Sequence, residues 1–374
     1  MSIKRSLLTN LKNILGAKTN RKLVVIYADD YGSIRVRDKQ AYQKLLKSGI
    51  AVDKTRYGYD TLCTTEDLQK LFEVLTSVKD ANGHYACITP FVNIANPDFT
   101  RIRESEFQEY FREPFTVTMN RLGTAYIGAY ELWRQGISSG IFCPEYHGTE
   151  HISVWKLMKA LREGRKSTLL SFENESVCLP SFPDEKPIDH DTAVFDIIHT
   201  SDNEPLKRDI QIGLNMFEEL LGYRSCQFTP GAGIYSPSLH ETLFKNGIKS
   251  IHVNRRKAYP LGDGKYSKQF IYNGKKNEQG QYYIIRNCPF EPFLDDRSYN
   301  SNAYSICLAN IEAAFRWHVP AMISTHRVNF AGSIESSHRD VSLQELKTLL
   351  QEIIIRWPDV EFVSGSEMAE IMFK

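Results

Sequence analysis

The chain has 374 residues, of which 42% are hydrophobic, and its 46 basic and 45 acidic side chains give a net charge of +1. This is the composition of a globular protein with room for one large domain, and the balanced charge gives no support for a nucleic-acid partner. Seven cysteines, an odd number without C-x-x-C spacing, argue against a disulfide framework and favour a cytoplasmic protein with reduced thiols.

Residues 1–22 form a basic amphipathic segment in which Leu and Ile recur at helical spacing among Lys and Arg. Its apolar run is too short and too interrupted for a secretory signal. We expect this segment to pack on its own domain, and a weak peripheral contact with an anionic membrane surface is the alternative. No stretch of the chain approaches the ~20 apolar residues of a membrane helix, so we expect no integral membrane association.

From residue 23 onward, short apolar runs alternate with helical patterns. The run at 23–28 is continuous and β-branched, which is typical of a strand buried on both faces. Further strands are predicted at 85–92, 141–146, 169–172, 225–229, 249–254, 282–287, 321–325 and 360–363. Helices are predicted between several of them, at about 66–79, 122–138, 153–163, 204–221, 238–246, 306–318 and 342–356. The polar segments 93–120, 174–203 and 256–281 are predicted to be long loops or small insertions around a rim.

This alternation predicts a parallel sheet covered by helices and closed, or nearly closed, into a barrel. We expect a single barrel domain over residues 23–374. Polar residues fall at or just past the carboxyl end of several predicted strands: Asp29-Asp30, His147, Pro230-Gly231 and His326. Active sites of α/β proteins collect at that edge, so these residues are placed as a site would be.

His147 and His151 are four residues apart, and on one turn of helix both imidazoles could reach a single ion. A carboxylate from another strand, such as Asp29 or Asp30, would complete a set of two histidines and one carboxylate with open positions. This predicts a mononuclear metal hydrolase. The alternative is a purely structural histidine pair, because such a spacing often arises by chance.

The run Tyr27-Ala-Asp-Asp-Tyr-Gly32 resembles the T-F-D-D-G signature of the polysaccharide deacetylase-like superfamily, carbohydrate esterase family four. The resemblance implies a (β/α)7-type irregular barrel with parallel strands and helices outside. It also implies that Asp29 is the catalytic base and Asp30 a metal ligand. The run from His147 to His151 resembles the H-[ST]-x-x-H motif of the family, which implies metal ligation by both histidines, with Gly148 where Ser or Thr is usual.

Two further motifs are weaker. The run Phe228-Thr-Pro-Gly-Ala-Gly233 lies where the family has F-R-P-P-Y-G, so Thr229 replaces an arginine that braces the base and Ala232 replaces an aromatic residue. The run Met322-Ile-Ser-Thr-His326 resembles the L-x-L-x-H motif, which implies that His326 is a general acid. Arg327 stands where that motif is followed by an aspartate.

Some residues near predicted strand ends could complete the site. Arg286 and Glu291 could replace the missing arginine or contact substrate, or they could be solvated loop charges. Pro230 belongs to the third motif, and Tyr146 could stack on a sugar ring, although aromatic residues at strand ends usually belong to the core. The same two interpretations, stacking on a sugar ring or membership of the core, apply to Phe91, Trp317 and Phe330.

The expected function is a metal-dependent hydrolase that removes an N- or O-linked acetyl group from a carbohydrate. One divalent ion is implied, and zinc is the expected ion because two of the three ligands are histidines. Two alternatives remain open. The first is a catalytically silent glycan-binding member of the same fold, suggested by Thr229, Ala232 and Arg327. The second is an unrelated metal-dependent barrel amide hydrolase with the same ligand set.

Overall fold

The computed structural model describes residues 9–294 and 297–373. Within them, nine strands form one mostly parallel sheet that curls into a half-barrel with helices outside. The predicted barrel-like α/β fold is therefore confirmed.

The strands are numbered in chain order. They are β1 Lys22–Tyr31, β2 Ile88–Asn93, β3 Ala95–Pro97, β4 Arg112–Pro114, β5 Glu145–Gly148, β6 Gln227–Phe228, β7 Ser250–His252, β8 Arg256–Gly262, β9 Lys265–Phe270, β10 Tyr282–Ile284, β11 Cys288–Pro289, β12 Ala321–His326 and β13 Val360–Phe362. The order across the sheet is β10-β7-β6-β5-β2-β1-β12-β11, and β13 pairs with the start of β1. The strands β3–β4 and β8–β9 form two separate antiparallel pairs.

The helices follow the same convention. They are α1 Lys39–Lys47, α2 Thr65–Leu75, α3 Phe99–Glu104, α4 Phe115–Arg121, α5 Ala129–Ser138, α6 Val154–Arg162, α7 Lys166–Glu173, α8 Asn203–Leu221, α9 His240–Lys245, α10 Ala303–Arg316, α11 Ser337–Arg356 and α12 Gly365–Phe373. None of the helices in residues 9–294 and 297–373 combines the length and the hydropathy needed to cross a membrane.

Strand β1 is central because both of its faces are buried. Val24 and Ile26 belong to the large core shared with the outer helices, whereas Val25 and Tyr27 belong to an inner cluster that includes Met368 of α12. This two-sided burial explains the continuous apolar run in the sequence. The register of β1 against β12 runs from Val24 opposite Ala321 to Asp29 opposite His326, so the two strands end side by side.

The strands β10 and β11 lie at opposite ends of the strand order, although only residues 285–287 separate them in the chain. A link this short spans roughly 14 Å at most. The two edges of the half-barrel must therefore approach each other, and this link crosses the gap between them.

One predicted strand was wrong. Residues 169–172, predicted as a strand, lie in α7, because a short apolar run does not distinguish a strand from a partly buried helix. The segments predicted as long loops or small insertions contain short elements: residues 256–281 contain the β8–β9 hairpin, and residues 93–120 contain β3, β4, α3 and α4. These elements lie outside the main sheet, so they lack the continuous apolar pattern by which central strands are recognised.

The described part of the N-terminal segment contacts the domain. The Asn10 side chain accepts a hydrogen bond from the Trp317 indole at 3.0 Å, and the Lys18 ammonium donates to the Trp317 carbonyl at 3.0 Å. Leu11 and Leu15 are nevertheless exposed. Residues 1–8, which complete the predicted amphipathic segment, lie outside the described residues.

Candidate functional site

A cleft of about 750 Å³ opens at the carboxyl edge of the half-barrel. Seven of the predicted site residues line it: Asp29, Asp30, His147, His151, Pro230, Arg286 and His326. They come from the ends of β1, β5, β6 and β12 and from the link between β10 and β11. The structure thus brings together side chains that are almost 300 residues apart in sequence.

Asp30, His147 and His151 form a compact buried cluster. The Asp30 Oδ1 atom is 2.8 Å from His151 Nε2 and 3.3 Å from His147 Nε2, and one potential ligand atom of each residue lies within 4.8 Å of the others. Burial would raise the pKa of Asp30, but the two imidazoles hold that pKa well below its ordinary value. Burial also lowers the pKa of His151, which favours the neutral ring that a metal ligand requires.

The end of β1 explains how two adjacent carboxylates enter one cleft. Neighbouring side chains of a regular strand point to opposite faces. Here the register between β1 and β2 shifts between Ala28 and Tyr31, and Asp30 and Gly32 adopt φ values of +74° and +79°. The backbone therefore turns at Asp30, and both Asp29 and Asp30 line the cleft.

The histidine pair does not lie on a helix, contrary to the prediction. His147 belongs to β5, which ends at Gly148 with φ +124°, and His151 follows in an irregular turn. The spacing of four residues brings the rings to 4.8 Å between centroids because the chain bends at Gly148. The expected convergence is present, but a strand end and a turn produce it.

The residues present fit a divalent cation. His147 Nδ1 lies 2.6 Å from the Thr229 carbonyl, which can only accept, so in the neutral ring Nδ1 carries the proton and Nε2 is an acceptor. That acceptor faces a second acceptor, the Asp30 carboxylate, and a cation between them would satisfy both.

Asp29 is held by Arg286. Arg286 Nη1 and Nη2 donate to the two Asp29 carboxylate oxygens, each at 2.7 Å, and Nη2 also donates to Thr229 Oγ1 at 3.1 Å. Burial would raise the pKa of Asp29, but the Arg286 guanidinium holds it below its ordinary value. Thr229 stands where the family motif has arginine. The guanidinium that binds Asp29 comes instead from Arg286, in another part of the chain.

His252 and the inner aromatic rings fix the position of Arg286. Arg286 Nε donates to His252 Nδ1 at 3.2 Å, and the guanidinium carbon lies about 5 Å from the ring centroids of Tyr27 and Phe91. Burial, together with the neighbouring Arg286 and His147, holds the pKa of His252 well below its ordinary value, so His252 is a neutral acceptor. Arg286 is therefore a rigid part of the site and not a solvated loop charge.

His326 pairs with Glu291 on the other side of the cluster. The distance from His326 Nδ1 to Glu291 Oε1 is 2.6 Å, and Glu291 Oε2 accepts from Arg56 and Asn329, both at 2.8 Å. Burial would lower the pKa of His326, but the Glu291 carboxylate, with Asp30 and Asp29, raises it to about 9. His326 is therefore protonated at neutral pH.

Arg327, which stands where the family motif has an aspartate, is not among the residues that line the cleft. It is buried and pairs with Asp60 through Nε at 3.0 Å and Nη2 at 2.9 Å. This ion pair connects the end of β12 to the loop before α2, so Arg327 has a structural role.

Tyr146 does not line the cleft, which corrects its prediction as a substrate contact. Because His147 points into the cleft, its strand neighbour points the opposite way, and Tyr146 is buried against Phe217 of α8 and Phe228. Phe330 is also fully buried. Pro230 lines the cleft, and its carbonyl accepts a hydrogen bond from the Gly233 amide.

Four residues of this region had no sequence prediction: Arg35, Tyr57, Arg56 and His252. The first two line the cleft, and Arg56 binds Glu291. They were missed because Arg35 lies in the loop before α1, and Arg56 and Tyr57 lie in a short turn after it, without the periodicity that marks a strand end. His252 ends β7, so the position of a histidine at a predicted strand end could have identified it.

No protein-family model and no curated protein matches the sequence. Solved structures similar to the chain include a protein described as a polysaccharide deacetylase from Mycobacterium smegmatis, at 13% identity and a TM-score of 0.44, covering 95% of this chain and 91% of that chain. The α-amylase AmyC from Thermotoga maritima has 9% identity and a TM-score of 0.47, covering 95% and 75%. The peptidoglycan deacetylase PdaC from Bacillus subtilis has 10% identity and a TM-score of 0.34, covering 94% and 92%.

Polysaccharide deacetylases, the family that the sequence motifs resemble, are among the solved structures similar to this chain.

Proposed function

We propose that the protein is a metal-dependent hydrolase that removes an N- or O-linked acetyl group from a carbohydrate. One observation carries this proposal: two hydrogen-bonded pairs of side chains lie on either side of the Asp30, His147 and His151 cluster. Asp29 is held by Arg286, and His326 is held by Glu291. A base, an acid and a set of metal ligands in one cleft are what hydrolysis of an acetyl group requires.

Asp30, His147 and His151 would hold the divalent ion, with zinc expected from the histidine ligands. Such an ion, when bound, polarises the acyl carbonyl and lowers the pKa of water. The remaining chemistry belongs to side chains of the protein.

Asp29 is the proposed general base. Arg286 keeps its carboxylate ionised at neutral pH, and each Asp29 oxygen retains a lone pair beyond the one that accepts from Arg286. The paired guanidinium also prevents the carboxylate from rotating, so the proton of the attacking water meets a fixed acceptor.

His326 is the proposed general acid. The Glu291 carboxylate accepts from Nδ1, which leaves the protonated Nε2 free to donate to the departing amine or alcohol. With a pKa of about 9, His326 still carries the proton when Asp29 is ionised. The two groups are therefore in their working protonation states over the same range of pH.

The carbohydrate substrate rests on the motif resemblance. A cleft of about 750 Å³ is within the range of sites for small molecules and can take more than an acetyl group. The cytoplasmic location and the single domain over residues 23–374 stay predictions.

Asp29→Asn tests the proposal. Acetate release from N-acetylated glucosamine oligomers and from O-acetylated sugars would be measured together with metal content. Loss of a general base is expected to lower kcat by about 10²-fold or more while the metal is retained. Asp359→Asn, at an exposed aspartate paired with Lys22, is the matched control and is expected to keep wild-type activity.

Unchanged acetate release in Asp29→Asn contradicts the assignment of the base. Wild-type protein that binds metal and sugar but releases no acetate indicates the catalytically silent glycan-binding alternative. Hydrolysis of amides unrelated to sugars, without acetate release from the sugar panel, indicates the amide hydrolase alternative.

A further inference from the structure

Arg35 is a buried guanidinium at the wall of the cleft that the proposed reaction does not use. It is 5% exposed and lines the cleft together with Tyr57. Within the described part of the chain, its side chain has one hydrogen-bond contact, between Nη2 and His151 Nδ1 at 3.4 Å, which is near the limit for such a bond. When His151 holds an ion through Nε2, Nδ1 carries the proton and cannot accept from Arg35. The buried Nε atom has no hydrogen-bond partner.

The neighbouring arginines differ from Arg35 in this respect. Each of the other three donates hydrogen bonds to a carboxylate: Arg286 to Asp29, Arg56 to Glu291 and Arg327 to Asp60. The carboxylate nearest to Arg35 is also that of Asp60, but it lies 3.9 Å from Nε, and its other oxygen is occupied by Arg327. Two guanidinium groups therefore share one carboxylate, and Arg35 is the one without a hydrogen bond to it.

The charges of Asp30 and Asp60 stabilise the Arg35 guanidinium, but neither carboxylate accepts a hydrogen bond from it. Buried N–H groups without an acceptor are costly, and an anion bound in the cleft would supply one. We propose that Arg35 binds an anionic substituent of the substrate, a carboxylate or a phosphate group, on a part of the substrate away from the acetyl group that is removed. This inference rests on the proposed function, because it takes the cleft as the substrate site.

The position of Arg35 indicates a recognition role. It approaches His151 from the Nδ1 side, whereas the Nε2 atom of the same ring faces Asp30. Arg35 is therefore on the far side of the imidazole from the cluster and not beside the reacting carbonyl. A group that it binds belongs to a more distant part of the substrate.

Tyr57 orients the guanidinium for this role. The Arg35 guanidinium carbon lies 4.8 Å from the centre of the Tyr57 ring, and Tyr57 is itself in contact with Arg56 on the same loop. A guanidinium held against an aromatic ring presents its N–H groups as a planar fork, which matches the oxygens of a carboxylate or phosphate.

The test is a comparison of dissociation constants, which does not depend on turnover. Three ligands would be titrated by calorimetry: N-acetylglucosamine as the neutral sugar, N-acetylmuramic acid as the carboxylate and N-acetylglucosamine 1-phosphate as the phosphate. The proteins are the wild type, Arg35→Met, Arg35→Lys and the matched control Arg37→Met. Arg37 is two residues away, pairs with Asp38 and does not line the cleft.

The wild type is expected to bind one of the two anionic sugars about tenfold or more tightly than the neutral sugar, the factor that charge-assisted hydrogen bonds contribute. The preferred anion identifies the substituent. Arg35→Met is expected to lose the preference, Arg35→Lys to keep part of it, and Arg37→Met to keep all of it. Both sugars are measured on the same preparation, so their ratio is independent of the folded fraction.

Equal binding of anionic and neutral sugars by the wild type overturns the inference, and so does a preference that persists in Arg35→Met. Failure of the proposed function is distinguishable. An Arg35-dependent preference without acetate release leaves the anion site standing and removes the deacetylase, whereas acetate release without any preference does the reverse.

Discussion

Arg286 and Asp29 form a bidentate ion pair, in which the guanidinium donates one hydrogen bond of 2.7 Å to each carboxylate oxygen. The arginine comes from the link between the two edge strands of the half-barrel, 257 residues after its partner. Thr229, at the position of the motif arginine, accepts a further hydrogen bond from the same guanidinium. Thr229 therefore lacks the motif guanidinium, but Arg286 supplies one to Asp29 from the link after β10.

The first prediction concerns Arg286→Met. Without the guanidinium, burial is expected to raise the pKa of Asp29, and the carboxylate also loses its fixed orientation. A base acts only when ionised, so the acidic limb of the pH profile is expected to move to higher pH. We expect kcat/KM at neutral pH to fall by about 10²-fold. Acetate release measured from about pH 4 to about pH 10 checks both effects.

Arg286→Lys and a double exchange serve as controls for this prediction. Lysine keeps the positive charge but lacks the two parallel N–H donors of the guanidinium. Arg286→Lys is therefore expected to shift the acidic limb less than Arg286→Met and to have a rate between those of Arg286→Met and the wild type. The double variant Thr229→Arg with Arg286→Thr places the arginine at the motif position and is expected to recover part of the rate. An acidic limb that is identical in Arg286→Met and wild type contradicts the role of this pair.

The ends of the central strands were predictable because buried parallel strands leave continuous apolar runs. Asp29 comes directly after the apolar run of β1, and His326 comes three residues after the end of the shorter apolar run of β12. Parallel neighbours end at the same edge, so the proximity of these two residues follows from the pattern. The observed register, with Asp29 opposite His326, is the detail that the pattern alone did not give.

The irregular parts of the site could not be predicted from local pattern. His147 and His151 have helical spacing, yet a glycine in a left-handed conformation brings them together. Arg35 and Tyr57 belong to loops whose course depends on contacts with distant residues. Their convergence is a property of the tertiary structure, and no periodic signal in the sequence encodes it.

The second prediction concerns Glu291→Gln and the alkaline limb. The general acid works only while His326 is protonated, and the Glu291 carboxylate raises its pKa to about 9. Glutamine removes that charge while burial, which lowers the pKa, remains. The alkaline limb is therefore expected to move down toward the ordinary histidine value of about 6.5. The loss of kcat/KM relative to wild type is expected to grow as the pH rises.

Asn329→Ala is the matched control for Glu291→Gln. It removes a hydrogen bond to the Glu291 carboxylate but keeps the negative charge. Its alkaline limb is expected to stay near that of wild type. If Glu291→Gln also keeps the wild-type limb, His326 is not the acid whose titration limits the reaction.

The third prediction concerns metal binding. His147→Ala combined with His151→Ala removes two of the three expected ligands, so the variant is expected to lose stoichiometric metal. Metal that binds the folded state raises Tm, so added zinc is expected to stabilise the wild type and not the double variant. Elemental analysis and thermal unfolding measure the two effects.

A histidine outside the cluster provides the control. His240 is buried and its Nδ1 faces Glu278 instead of Asp30. His240→Gln is expected to keep both the bound metal and the thermal response to zinc. A double variant that still copurifies with one metal per chain contradicts the ligand assignment.

The fourth prediction concerns Gly148, which stands where the family motif has Ser or Thr. Its φ of +124° is unfavourable for any side chain, and a Cβ would lie 3.3 Å from the Glu150 carbonyl and from the Phe195 ring. Gly148→Ser, although it restores the motif, is therefore expected to lower the free energy of unfolding by about 1–3 kcal/mol. It is also expected to weaken metal binding, because the bend at Gly148 carries His151 to Asp30.

Gly164→Ala separates the cost of the backbone angle from the effect on the site. Gly164 also has a positive φ, +70°, but a Cβ there meets nothing within 4 Å, and the residue lies at the end of α6. This variant is expected to be destabilised by about 1 kcal/mol with unchanged metal affinity. Denaturant unfolding and metal titration of both variants give the comparison. If Gly148→Ser is as stable as wild type and binds metal equally well, the turn does not depend on glycine, and serine would then fit this position as it does in the motif.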